Sequence, residues 1–208
     1  MALQSNLRNM VLVLGITCLL CSGILGGAYV LTKAPIDAAA AQKTERAVAQ
    51  VLPFFKEVEL RTVEADGVDY VCYEATDGET LVGHAIETST VGFGGDLKLM
   101  VGITPDGVVY GTSVLAQAET PGLGAKCSSD ERFIRQWQGF DPSVKKLSVV
   151  KDGGDVDAIT ASTITSRAYT LAVARAVNVW KVINGGQSDA VSGASAVSPN
   201  TEGDIDYE

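Results

Sequence analysis

The first pattern along the chain is an unbroken apolar run. MVLVLGITCLLCSGILGGAYVL, residues 10–31, carries no charged side chain and is bracketed by Arg8 and Lys33. At a rise of about 1.5 Å per residue it makes a helix of about 33 Å, enough for a hydrocarbon core of about 30 Å. The run predicts a transmembrane helix over 10–32, with 1–9 as a short leading segment. A cleaved signal is the competing reading, since AAAA at 38–41 offers small residues to a peptidase. A signal's apolar region spans only about 7–15 residues, so an uncleaved anchor is expected. APIDAAAAQKTERAVAQVLP, 34–53, predicts a juxtamembrane helix within 33–55, with Pro35 in its first turn and its stop before Pro53.

Beyond it the period changes to strands. EVELRTV (57–63), VDYVCYEA (68–75), TLVGHAIETS (80–89), DLKLMVGIT (96–104) and GVVYGTSVLA (107–116) are short runs rich in β-branched and aromatic residues. TPDG at 104–107 supplies the turn between the last two. DERFIRQWQGF (130–140) predicts a short helix and KLSVV (146–150) another strand. TITSRAYTLAVARAVNVWKVING (163–185) predicts a long helix with Ile164, Ala168, Leu171, Ala172, Arg175, Val179 and Val182 near one face, ended by Asn184-Gly185. Helix, strands, helix, strand, helix in one stretch predicts a single α+β domain over 56–185, a mainly antiparallel sheet flanked by helices. The Ser, Gly, Ala and acid-rich remainder, 186–208, is expected to be a disordered acidic tail.

Charge narrows the partners. A formal net charge of −9 and a pI near 4.6 argue against nucleic acid, whose binding needs a basic surface. Lys33, Lys43 and Arg46 follow the apolar run and only Arg8 precedes it, so the cation count leans weakly towards a cytoplasmic domain. Cys18 and Cys21 fall inside the apolar run, where they read as small lipid- or helix-facing residues. Cys72 and Cys127 are expected to be free, although they could pair. His84 is the only histidine, which rules out a multi-histidine metal site.

Three stretches carry candidate chemistry. GFGG (92–95) does not open a helix, so it is no dinucleotide loop; it is either a plain connection or backbone that a flat ligand approaches closely. ETPGLGAK (119–126) combines Pro121, Gly122 and Gly124 in a tight path that frees backbone amides. DAITASTITS (157–166) packs hydroxyls at the start of the long helix, where Thr160 or Ser162 can cap and Thr163 sits in the first turn. A helix start with unpaired N–H groups is also a ready phosphate site, so a hydroxyl there could carry a phosphodiester.

Together these stretches resemble the FMN-binding domain of the G subunit of Rnf ion-translocating electron-transport complexes. They are similar also to the C subunit of the sodium-translocating NADH:quinone reductase; the shorter chain favours Rnf. The likeness runs to about residue 185 and rests on the N-terminal span, LTKAPIDAA, GGDLKLMVGIT, ETPGLGAK and VDAITASTITSRA. The family's attachment pattern, Asp-x-x-Ser/Thr-Gly-Ala-Thr, falls on Asp157 to Thr163, with Ala161 in place of Gly and Ser162 in place of Ala. The resemblance implies FMN joined covalently through its phosphate to Thr163 by a separate flavin transferase. It also implies a site drawn from Thr160, Ser162, Ile164 and Thr165 and from Gly94, Gly95, Glu119, Thr120, Gly122, Leu123 and Gly124. The implied protein is an electron carrier in the inner (plasma) membrane. It works with the other membrane subunits of a ferredoxin:NAD oxidoreductase, its domain on the periplasmic side of the lipid bilayer. This placement opposes the weak cation count.

DAVSGAS (189–195) fits the same pattern, with Ser195 at the acceptor place. No helix follows it and no core is available to hold a flavin, so Thr163 is the expected acceptor. Two other classes remain open at this point: a freestanding membrane-anchored flavoprotein reductase, and a non-catalytic anchored binding module in which the TITS stretch is only a cap.

Overall fold

The computed structural model describes residues 7–186. The expectations for the tail 187–208, Ser195 included, lie outside the described residues. The chain divides into two units at Lys43/Thr44.

The first unit is the greater part of helix α1 (Leu7–Val51), which is long and apolar enough to cross a membrane, with mean hydropathy 2.2 over its best window. Pro35 lies inside this helix and does not begin a new one. A proline there leaves one carbonyl of the preceding turn without its amide donor. The good helix formers on both sides, the alanine run 38–41 above all, carry the helix through it.

In the second unit the last turns of α1 meet a five-stranded antiparallel meander in simple order: β1 (Glu57–Ala65), β2 (Val68–Asp77), β3 (Thr80–Val91), β4 (Asp96–Ile103) and β5 (Val109–Gln117). All five strands stand where the alternation places them. Gly107, at φ 85°, closes the TPDG turn and donates its N–H to the Thr104 carbonyl at 2.9 Å. On β4, Leu97, Leu99, Val101 and Ile103 face one side, together with Cys72 and Ile86 of β2 and β3. That side is covered by α3 (Thr163–Ile183) and the short helix α2 (Glu131–Arg135). Met100, Ala75 and Ala85 face the other, beneath Ala47, Val48, Val51 and Leu52.

The two faces are built differently. Towards α3 the sheet is large and apolar, and four rings, Phe133, Trp137, Phe140 and Tyr169, pack into one cluster with centroids 5.0–6.2 Å apart. Towards the end of α1 it is a floor of small residues. A Cβ on Gly102 would overlap the Val51 carbonyl oxygen, and one on Gly83 would come 3.0 Å from the Leu52 side chain. The helix end therefore rests almost on strand backbone.

Three further expectations need correction. The 130–140 helix closes after one turn, at Arg135. Its continuation tightens into i→i−3 bonds, Gly139 turns at φ 70°, and Phe140 leaves to bridge Val109 of β5. The segment 146–150 is no strand: the chain makes a short helical turn at 150–152 and loops through Gly153–Gly154, and Val149 forms only an isolated parallel bridge to Val156. The buried stripe of α3 runs through Thr165, Ala168, Tyr169, Ala172, Val173, Ala176 and Val179, while Ile164 is 52% exposed. Thr165 and Ser166 are buried because their hydroxyls are hydrogen-bonded, which a hydropathy pattern does not register. The helix ends as expected: Gly185 at φ 76° donates to Val182 and Gly186 to Lys181, a Schellman closure.

All four cysteines are free. Burial pushes the Cys72 thiol up to about 12 and the Cys127 thiol up to about 11, so both stay protonated at neutral pH.

The small-residue floor makes a specific prediction. Gly102→Ala forces backbone against backbone and should lower the unfolding free energy by about 1–3 kcal/mol in denaturant titration of the full chain. An unchanged midpoint would show that the helix end yields freely.

Candidate functional site

Glu119 joins the three stretches singled out in the sequence. It follows β5, and its carboxyl group is buried, with the residue 6% exposed. Oε1 accepts the N–H groups of Phe93 (2.8 Å) and Gly94 (3.4 Å), and Oε2 accepts the Thr165 hydroxyl (2.9 Å). One side chain thus ties the GFGG loop, its own ETPGLG loop and the first turn of α3. Burying a carboxyl group this deeply is tolerated because its oxygens are occupied by donors.

The glycines make room for this arrangement. A Cβ on Gly92 would overlap Oε1, and one on Gly124 would overlap Oε2 and come 2.6 Å from Thr165 Oγ1. A Cβ on Gly94 would overlap the Ala118 carbonyl, and Gly95 sits at φ 144°. The glycines of 92–95 therefore let this loop close against Glu119 and Ala118, so it is more than a plain connection. In the ETPGLG turn the Thr120 carbonyl accepts the N–H groups of Leu123 and Ala125 at 3.2 Å, and Gly122 turns at φ 78°. Thr120, Gly122 and Leu123 are exposed and Gly124 is buried.

The hydroxyl-rich stretch is held at three points. Gln136 clamps the Asp157 backbone, its amide oxygen accepting the Asp157 N–H (2.8 Å) and its amide nitrogen donating to the Asp157 carbonyl (3.1 Å). Ser166, fully buried, donates its hydroxyl to the Ser162 carbonyl and accepts the Ile159 N–H, both at 2.9 Å. Lys151 reaches from the 146–156 loop to donate its ammonium to Thr163 Oγ1 at 3.2 Å. That loop is fastened to the same helix, because Arg167, one turn beyond Thr163, grips Asp152 with two bonds of 2.7 Å. The Arg167 guanidinium holds the Asp152 carboxyl below its ordinary range.

Ser162 occupies the N-cap position of α3, but its side chain makes no cap bond, and no acid lies in the first turn. Thr160 is exposed and does not cap. Thr163 itself is half-buried, and Ile164 beside it is exposed. The expected site residues therefore fall into one neighbourhood. Thr165 and Gly124 lie inside it as packing, while Thr163, Leu123 and the 69%-exposed Phe93 stand at its surface. Sequence reasoning missed Lys151, Arg167, Gln136 and Phe93. The only sequence signal for the first two was a Lys-Asp pair before the GG turn and an arginine one turn into the helix. Two clefts of about 280 and 270 Å³ lie elsewhere, one along Leu147 and Val177 and the other along Cys72 and His84. Hydrogen bonding, not cleft volume, marks this site.

A family described as the FMN-binding domain matches residues 92–178, a span that contains every residue expected at the site. The G subunit of the ion-translocating oxidoreductase complex of Haemophilus influenzae is 36% identical over 173 residues, 76% of this chain and 82% of that protein. Its Methanosarcina acetivorans counterpart is 34% identical over 163 residues, 76% of this chain and 85% of that one. The G subunit of the proton-translocating ferredoxin:NAD(+) oxidoreductase complex of Clostridium ljungdahlii is 37% identical over 118 residues, 55% of this chain and 62% of that protein. Among solved structures, the C subunit of the Na(+)-translocating NADH-quinone reductase of Parabacteroides distasonis aligns with TM-score 0.48 at 23% identity, covering 68% of this chain and 81% of that one.

The departure at Ala161 has a measurable cost. Ala161 sits at φ 61°, the left-handed region that glycine enters freely and an L side chain enters at about 1 kcal/mol. Ala161→Gly is expected to raise the unfolding free energy by about 1 kcal/mol. Destabilisation in denaturant titration would mean that the turn is shaped otherwise. With the strained turn located and relatives aligned over most of their length, the chain belongs to the G-subunit family of ion-translocating oxidoreductase complexes, the Rnf group, and carries its FMN-binding domain.

Proposed function

We propose that this chain is a membrane-anchored electron carrier whose FMN is attached through its phosphate to Thr163. It serves as one subunit of an ion-translocating ferredoxin:NAD oxidoreductase. The observation that carries the reading is the setting of the Thr163 hydroxyl: half-buried, at the start of α3, beside the Lys151 ammonium, and in a first turn with no acid and no side-chain cap. An anionic linkage fits such a place, because helix-terminal amides and a neighbouring cation both favour negative charge.

FMN, when bound, supplies the electron-transfer chemistry. The chain's own residues fix its position. Thr163 provides the attachment oxygen. Glu119 holds the GFGG and ETPGLG loops against the first turn of α3. Phe93, Leu123 and Ile164 offer exposed apolar surface to a flat ring, with Gly94, Gly95, Thr120 and Gly122 as backbone approaches. Thr160 and Ser162 complete the turn before the acceptor. A resident group fastened by a covalent bond suits a domain outside the cytoplasm, where lost FMN is not replaced. We accordingly place residues 56–185 on the periplasmic side, residues 10–32 in the bilayer, and the other membrane subunits as partners. A flavin transferase is the partner that loads the site.

Coexpression with a flavin transferase, followed by intact-mass and peptide mass spectrometry, tests this. One FMN-sized adduct is expected on the peptide containing Thr163, with complete loss in Thr163→Ala and an unchanged unfolding midpoint. In-gel flavin fluorescence persisting in Thr163→Ala would contradict the assignment and direct attention to Ser195.

A further inference from the structure

The loop 146–156 contributes no expected site residue, yet it presents a cation to the acceptor hydroxyl. Its shape is fixed from within. The Lys146 N–H donates to Asp155 Oδ2 (2.7 Å), Val150 N–H to the Val156 carbonyl (2.9 Å) and Asp152 N–H to the Val149 carbonyl (2.8 Å). Gly154 turns so closely that a Cβ there would overlap the Ser148 carbonyl. Two side chains carry the loop to α3: Lys151 to Thr163, and Asp152 to Arg167.

The two contacts divide the labour. Thr163 and Arg167 are four residues apart and therefore on one face of α3, so the Asp152–Arg167 fork sets the height at which Lys151 meets the hydroxyl. The same fork engages the carboxyl group nearest in sequence to Lys151. Left unpaired, that carboxyl would attract the ammonium away from Thr163 and repel an anion placed there. An exposed contact of this kind adds little to stability. Its consequence is chemical: an ammonium that donates to Oγ1 occupies an oxygen lone pair and leaves the hydroxyl proton directed elsewhere.

We propose, resting on the reading that Thr163 carries FMN, that Lys151 is the phosphoryl-holding residue of the attachment site. Asp152 and Arg167 are its positioning residues. During attachment the Thr163 Oγ1–P bond forms as the pyrophosphate P–O bond of FAD breaks. AMP leaves, the hydroxyl proton passes to a base of the transferase, and no oxidation state changes. Lys151 stays protonated throughout. It orients the attacking oxygen and then stands as counter-ion to the phosphodiester that remains.

Loading of the full chain by a flavin transferase with FAD, followed in time by intact mass, tests this. Lys151→Ala should load more slowly by about tenfold or more, with the unfolding midpoint unchanged. Lys151→Arg, which keeps the charge, should load within about threefold of the parent. Asp152→Ala and Arg167→Ala should each slow loading, and the exchanged pair Asp152→Arg with Arg167→Asp should recover it. A purely structural role for the fork would instead move the unfolding midpoint together with the loading rate. The phosphorus NMR resonance of the attached phosphodiester should also shift between parent and Lys151→Ala. Equal loading rates and coincident resonances would overturn the assignment of Lys151 while leaving Thr163 as acceptor. A parent chain that gains no adduct would overturn the underlying reading itself.

Discussion

A single buried carboxyl group organises this domain's upper end. Glu119 accepts from the backbone of one loop and from a helix hydroxyl, while its own backbone N–H is held by Gln117 Oε1 at 2.6 Å. The three segments it joins are far apart in sequence. Each donor left unsatisfied by removing that group would cost about 1–3 kcal/mol, and the glycines around it would then line a void. The site is therefore one object because one side chain makes it so.

The rest of the fold delivers the ends that Glu119 ties. The meander sets β3 and β4 side by side, so the GFGG turn between them lies at the same edge as the end of β5. Helix α3 crosses the apolar face of the sheet and brings its first turn to that edge, fixed by the Thr90 hydroxyl donating to the Ala168 carbonyl at 3.0 Å. The opposite face is reserved for the last turns of α1, and small residues there allow the strand backbone itself to be the contact surface. The last turns of α1, through Ala47, Val48 and Val51, end inside this second core.

Much of this was legible in the residues. Turn glycines and strand-forming composition marked all five strands, because each is bounded by a connection of distinctive chemistry, even though β1 is exposed along most of its length. The hydroxyl-rich stretch before the long apolar run placed Thr163 at the start of α3. Other parts were not legible, for physical reasons. Pro35 reads as a helix start locally, but the helix formers around it outweigh one lost bond. KLSVV has strand composition and no strand to pair with. The burial of α3 is rotated from the apolar stripe because Thr165 and Ser166 are buried as hydrogen-bonded groups. Lys151 could not be found from spacing, since its approach to Thr163 depends on the path of the 146–156 loop and on an ion pair with the helix. Glu119 was legible as a site residue, but its bonds to the Phe93 and Gly94 amides and to the Thr165 hydroxyl depend on loop paths that spacing does not give.

If the carboxyl knot is the constraint on which the site depends, its removal should loosen all three segments at once and leave the sheet intact. Amide hydrogen exchange on the full chain, comparing the parent with Glu119→Ala, measures this directly. The account predicts that peptides covering 90–97, 119–128 and 159–167 lose protection together while those of β2, β3 and the middle of α3 keep theirs. Loss of protection confined to 119–128 would contradict it.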